Sequence, residues 1–255
     1  MNSAERWLQG LLISWAFWIG GACAPNDPEV VRPSPGEPFL PRLPGPAAGG
    51  PYDSFSQALI ASCRKILAKP GASVVHLRYQ DFITQWRLST EYCAWIYYTP
   101  ENRYEISRLT DQSRVDPSYR FKRCALPTSV EDPRYPAHAI KYICAIHNHP
   151  YGDSLSEDDI RSIVSQGFIH GFEAETKDGT VLLSIVAFVS NDPTKPSCDG
   201  FYQYVPAAGS MYRWKQVDGA WACRKTGVIK WQNMEHYTLQ KVDASCPDFS
   251  DMEAP

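Results

Sequence analysis

Apolar positions fall into sharply different patterns along the chain. Across residues 54–67, Phe55, Leu59, Ile60 and Ile66 recur at roughly helical spacing, and Lys69-Pro70-Gly71 ends the segment, so a helix is predicted there. Residues 73–77 form a short strand candidate. Residues 91–98 crowd Tyr92, Cys93, Trp95, Ile96, Tyr97 and Tyr98 together and predict a stronger strand. Pro100-Glu101-Asn102 then turns the chain into another strand around residues 104–109. From 110 to 135 the chain is polar and proline-punctuated, with room for one more strand in 115–124. Residues 139–146 are a nearly continuous apolar run, the signature of a strand buried on both faces. Beyond it, Ser156 stands as a helix N-cap with Glu157 and Asp158 in the first turn, where negative charge suits the helix dipole. Ile160, Ile163, Val164 and Phe168 follow at helical spacing, and Gly167 or Gly171 can end the helix. Residues 181–189 read as a second near-continuous strand.

A helix, several strands, a helix and a strand predict an α/β or α+β layered domain over residues 52–190. The remainder, 191–255, changes character. Tyr202, Tyr204, Tyr212, Trp214, Trp221 and Trp231 alternate with Gly and polar residues, and Asp218-Gly219 is a hairpin turn signal. We expect an aromatic-rich β extension packed on the main domain, with its aromatics mostly in a core and its last residues frayed. Before the domain, residues 24–51 are dense in Pro and Gly, including Pro33, Pro35, Pro38, Pro41, Pro44 and Pro46, which predicts a semi-extended tether.

The first 23 residues read as an export signal. Arg6 precedes an apolar stretch over 11–19, and the small residues Gly20, Gly21 and Ala22 lead to Cys23. This segment resembles a bacterial lipoprotein signal, which implies lipid attachment at Cys23 and a place in the cell envelope; plain secretion is the alternative. Seven cysteines follow Cys23, and none forms the short pair of a metal knuckle. In an exported chain they predict disulfides, at most three within one molecule. A net charge of -3 with no basic stripe argues against a nucleic-acid partner.

His147 and His149 lie two apart at the end of a predicted strand, so their imidazoles share one face. Asp159 stands in the first turn of the helix that follows. Two imidazoles and one carboxylate are a ligand set typical of catalytic zinc, leaving a fourth position for water. Asp153 reads as a loop residue and Asp158 as decoration of the helix dipole. His76, His138, His170 and His236 show no comparable grouping.

The stretch His147-Asn148-His149-Pro150 followed by Ser156-Glu157-Asp158-Asp159 resembles the signature of the JAMM (MPN+) metalloproteases, which include the zinc deubiquitinases and bacterial RadC-like proteins. The loop is one residue shorter than the commonest family spacing. The resemblance covers residues 54–189 and implies a mixed sheet flanked by helices. It assigns one Zn2+ to His147, His149 and Asp159, and makes Ser156 the hydroxyl that stabilises the oxyanion. It also requires an upstream glutamate as general base at the start of a strand. Glu91, in Glu91-Tyr92-Cys93-Ala94-Trp95-Ile96, matches that pattern with Ala94 where Gly is usual. Glu105, Glu101 and Glu131 are its rivals.

These residues together imply an exported zinc metallopeptidase acting on an amide or isopeptide bond in a peptide, protein or peptidoglycan. The alternative is a catalytically inactive, zinc-containing binding or assembly module of the envelope. A deaminase-like enzyme lacks support, because the His/Cys/Cys ligand pattern is missing.

Overall fold

The computed structural model describes residues 27–246 apart from 78–79, 117–120, 153 and 193–194. The expected export signal with Cys23, the loop residue Asp153 and the expected frayed end at 247–255 lie outside the described residues. In chain order the elements are β1 (Val30–Val31), β2 (Leu43–Pro44), α1 (Phe55–Leu67), α2 (Phe82–Leu88), β3 (Cys93–Tyr98), β4 (Tyr104–Ile106), β5 (Leu109–Thr110), β6 (Ser113–Asp116), β7 (Phe121–Cys124) and β8 (Val130–Glu131). They continue with β9 (Lys141–Asn148), α3 (Glu157–His170), β10 (Glu173–Thr176), β11 (Gly179–Leu182), β12 (Ser184–Val189), β13 (Gly200–Val205), β14 (Ser210–Val217), β15 (Ala220–Trp231) and β16 (Tyr237–Ser245).

One ten-stranded sheet runs β1-β5-β3-β9-β12-β13-β14-β15-β16, with β4 beside β3. It is mostly antiparallel, but β9 and β12 run parallel at its centre. The fold is therefore mixed α/β and dominated by β structure. Because side chains alternate across a strand, the central strands feed two separate cores. Ala94, Ile96, Ile146, Val186 and Phe188 point to the face covered by α1, through Leu59, Cys63 and Ile66. Trp95, Tyr97, Ala145, Ile185 and Ala187 point to the opposite face, covered by Ile160 and Ile163 of α3. The parity continues past Ala145, so His147 is turned toward α3.

Local signals account for most element ends. Ser54 caps α1 by accepting from the Gln57 N–H, and Gly171 ends α3 at φ 91°, a conformation costly for any residue with a Cβ. Asp218 and Gly219, at φ 51° and 82°, make the turn between β14 and β15 as their dipeptide predicts. Two expectations change. Within residues 73–77, Val75–Leu77 is a single 3-10 turn rather than a strand, and the Val74 N–H donates to the Pro150 carbonyl. Residues 181–189 split at Leu183 into β11, which pairs with β10, and β12, which joins the main sheet. Apolar density alone carries no sign of that change of partner.

The expected tether is corrected from residue 27 onward, because that segment is fastened to the body. β1 pairs parallel with β5 and β2 with β8, and Leu43 is fully buried. Lys65 reaches Glu29 at 2.7 Å and Lys69 reaches Asp27 at 2.6 Å. Proline is tolerated because the donors used are the N–H groups of Leu43 and Gly45, on either side of Pro44. The expected C-terminal extension also differs in its mode of attachment. β13 adds to β12 edge to edge, and β14 to β16 extend the same sheet. Phe201, Tyr204, Tyr212 and Trp214 are buried, as expected for core aromatics.

Three disulfides join Cys63 to Cys198, Cys93 to Cys124 and Cys223 to Cys246. They indicate an oxidising, extracellular-type compartment. Cys144 remains a thiol inside the central strand, where burial pushes its pKa up to about 12 and keeps it inert. Among the described residues no helix is long and apolar enough to cross a membrane.

Candidate metal centre

The end of β9 and the first turn of α3 bring three side chains together. His147 Nε2 and His149 Nε2 stand 3.0 Å apart, and each lies 3.3 Å from an Asp159 carboxylate oxygen. All three residues are buried, at 5%, 6% and 7% exposure, so a water-filled surface cluster is excluded. Among the described residues this is the one grouping of His, Cys, Asp or Glu side chains able to hold a metal ion. The spacing can be tested against coordination geometry. Two ligands about 2.0–2.1 Å from one tetrahedral ion stand about 3.3 Å from each other. The observed separations fit that value, and the donors are borderline nitrogen and hard oxygen, a set suited to a divalent cation.

Asp159 is held by more than its partners. Its backbone N–H donates to Ser156 Oγ at 3.2 Å, while the Ser156 N–H and hydroxyl both donate to Asp159 Oδ2 at 2.7 Å. This reciprocal capping box fixes the carboxylate at the start of α3. Burial alone would push the Asp159 carboxyl up. The two imidazoles and their hydrogen bonds outweigh it and hold the group far below the usual carboxylate range. Asp159 is therefore anionic, as a ligand must be. Ser156 does cap the helix; its single hydroxyl proton is given to Asp159 in this arrangement.

Glu91 sits just ahead of β3. Cys93 pairs with His147 across the β3–β9 ladder, and carrying that antiparallel register two residues further sets Glu91 against His149. The cavities on either side of the triad are both lined by Glu91 and Asp159. The Cys124 N–H donates to Glu91 Oε2 at 3.0 Å, and the Cys93–Cys124 disulfide holds that amide in place. Burial raises the Glu91 carboxyl above its ordinary range, whereas His149, His147 and the Cys124 N–H act to lower it. The rivals lie elsewhere. Glu105 is paired with Arg134 at 2.9 Å, Glu101 is in the turn after β3, and Glu131 ends β8.

Asn148, between the two histidines, is the residue that motif reasoning passes over. It alternates to the other face and is fully buried. Its Oδ1 accepts from the Tyr92 N–H at 2.7 Å, and its Nδ2 donates to the Ala72 and Thr90 carbonyls at 2.6 and 3.0 Å. One amide thus grips the backbone on both sides of Glu91 and fastens it to the strand of the histidines. All three partners lie far away in sequence, so no local signal announces them. His170, read as structural, stacks on Tyr142 with ring centroids 3.7 Å apart.

Comparison of the chain with protein-family models, with curated proteins and with solved structures finds no match in any of the three.

Proposed function

We propose that this protein is an exported zinc metallopeptidase that hydrolyses an amide or isopeptide bond. The observation that carries the reading is one arrangement: a buried His147, His149 and Asp159 set at tetrahedral spacing, with the Glu91 carboxylate, just ahead of β3, lining the same cavities. It agrees with the sequence resemblance to the JAMM metalloproteases. Zinc, when bound, supplies a Lewis acid that polarises a carbonyl and brings the pKa of its water toward neutrality. The protein's residues do the rest. The Cys124 N–H and the pinned Thr90–Tyr92 backbone aim the Glu91 carboxylate at the triad. Glu91 Oε1 takes the proton of the attacking water and returns it to the departing nitrogen.

Ser156 donates to the oxyanion by turning its hydroxyl away from Asp159 Oδ2. The Ser156 N–H keeps hold of that oxygen meanwhile, so the metal ligand does not drift. Disulfides and thiol-free ligands both suit an oxidising compartment. A lipid anchor at Cys23 in the bacterial envelope completes the reading, with envelope proteins or peptidoglycan cross-links as substrates.

A peptide-library cleavage screen tests it. Zinc-loaded wild type should cleave, chelation should reduce cleavage to baseline, and one equivalent of zinc should restore it. Glu91→Gln should retain zinc and lose about 10²–10⁴-fold in turnover. Cleavage that survives both chelation and Glu91→Gln would show that the reading is wrong.

A further inference from the structure

The two cavities beside the triad differ in character, and the difference bears on what the site accepts. The first, of about 320 Å³, lies along α3 and mixes polar groups such as Arg161, Asp158 and Gln166 with apolar ones such as Leu126 and Ile185, while Arg123 lines both cavities. The second, of about 470 Å³, lies on the His149 and Ser156 side and is walled by Phe82, Trp86 and Tyr151. Both are lined by Glu91 and Asp159, so the two cavities adjoin at these residues.

The aromatic wall is built with care from a segment that has little reason to exist as core. α2 has no buried residue, and Phe82, Ile83 and Leu88 are 50%, 40% and 54% exposed. Its seven residues bury too little to hold themselves in place. Polar clamps position it instead. Asp81 caps its start through the Thr84 N–H and hydroxyl, and Gln85 Nε2 donates to the Leu77 carbonyl at 2.8 Å. At its far end Ser89 Oγ meets the Tyr151 hydroxyl at 3.1 Å, and Lys122 Nζ donates to the Ser89 carbonyl while lying 5.0 Å over the Trp86 ring. The Phe82 and Tyr151 rings meet at 5.7 Å. Trp86 Nε1 is buried in this wall without a hydrogen-bond partner. Large apolar side chains held exposed at the rim of a buried polar centre mark a surface that a ligand covers.

Resting on the peptidase reading above, we infer that the substrate carries a large apolar residue, aromatic by preference, next to the bond that is cut, seated among Phe82, Trp86 and Tyr151. The first cavity takes the other side of that bond. Specificity for apolar side chains then comes from α2, a helix outside the metal motif.

Hydroxamates separate this inference from the peptidase reading, because they report affinity without turnover. Acetohydroxamate, 4-methylpentanohydroxamate and phenylacetohydroxamate share one metal-binding head and differ only in the apolar arm. Calorimetric titration of the zinc-loaded full chain should show phenylacetohydroxamate binding about tenfold or more tighter than acetohydroxamate. Phe82→Ala should bring that ratio below about threefold, whereas Phe168→Ala, an exposed ring on α3 outside both cavities, should leave it unchanged. Phe82 is half exposed, so its loss does not threaten the fold, and unchanged thermal midpoints are the check that each variant is folded. A flat series in the wild type overturns the inference, as does a ratio that survives Phe82→Ala and Trp86→Ala alike. If the preference holds but no peptide is hydrolysed, the apolar subsite among Phe82, Trp86 and Tyr151 stands and the peptidase reading falls. No hydroxamate binding at all overturns both.

Discussion

The centre of the sheet and its C-terminal end obey different rules. β3, β9 and β12 are buried almost throughout, whereas β15 alternates between covered and open positions and β16 is largely exposed. A polar side chain in the first region has no water to fall back on, so it is placed by specific partners. His147, Asn148, His149 and Asp159 are each fixed that way. In the second region Lys230, Gln240 and Lys241 need no partner because solvent serves them. Precision of the kind a metal centre needs is available only at the centre, where the cost of a wrong geometry is high.

Substitutions should reproduce that contrast. His149→Ala removes a ligand, and we expect at least a hundredfold loss of zinc affinity (about 2.7 kcal/mol or more) together with baseline hydrolysis, read by competitive chelator titration. Retained affinity would place the metal elsewhere. Replacing both Cys93 and Cys124 by Ala releases β7 from β3 and should lower stability by about 2–4 kcal/mol in chemical denaturation. Because the Cys124 N–H then no longer steadies Glu91, turnover should drop about tenfold while zinc affinity is kept. Equal loss of both would mean that the bridge supports the whole centre rather than the base. Asn148→Ala strands the buried Tyr92 N–H and should cost about 1–3 kcal/mol, with kcat falling more than zinc affinity. On β16, Leu239→Ala should change stability by less than about 0.5 kcal/mol and leave zinc binding alone. A larger effect there would erase the contrast between the two regions.

The same contrast explains what could be read in advance. α1, β9 and α3 were legible because each has a period or a cap that is local: the apolar stripe from Phe55 to Ile66, the unbroken run into His147, Ser156 three residues before Asp159. The triad was legible because strand parity and a short loop bring all three side chains together. β1 and β2 were not, since two-residue strands in a proline-rich stretch are defined by partners that lie some 80 residues away. α2 escaped because its apolar residues face outward and leave no buried stripe to detect. The grip of Asn148 on the Glu91 backbone escaped for a related reason, as hydrogen bonds across the fold leave no trace in spacing. Ser156 was read as a helix cap, and that role is visible in the geometry.

The most direct test of the proposed zinc centre is anomalous diffraction at the zinc edge from crystals of the zinc-replete full chain. The account predicts a single strong peak about 2.0–2.2 Å from His147 Nε2, His149 Nε2 and an Asp159 carboxylate oxygen. An empty triad in such crystals, or a peak on other ligands, would contradict it.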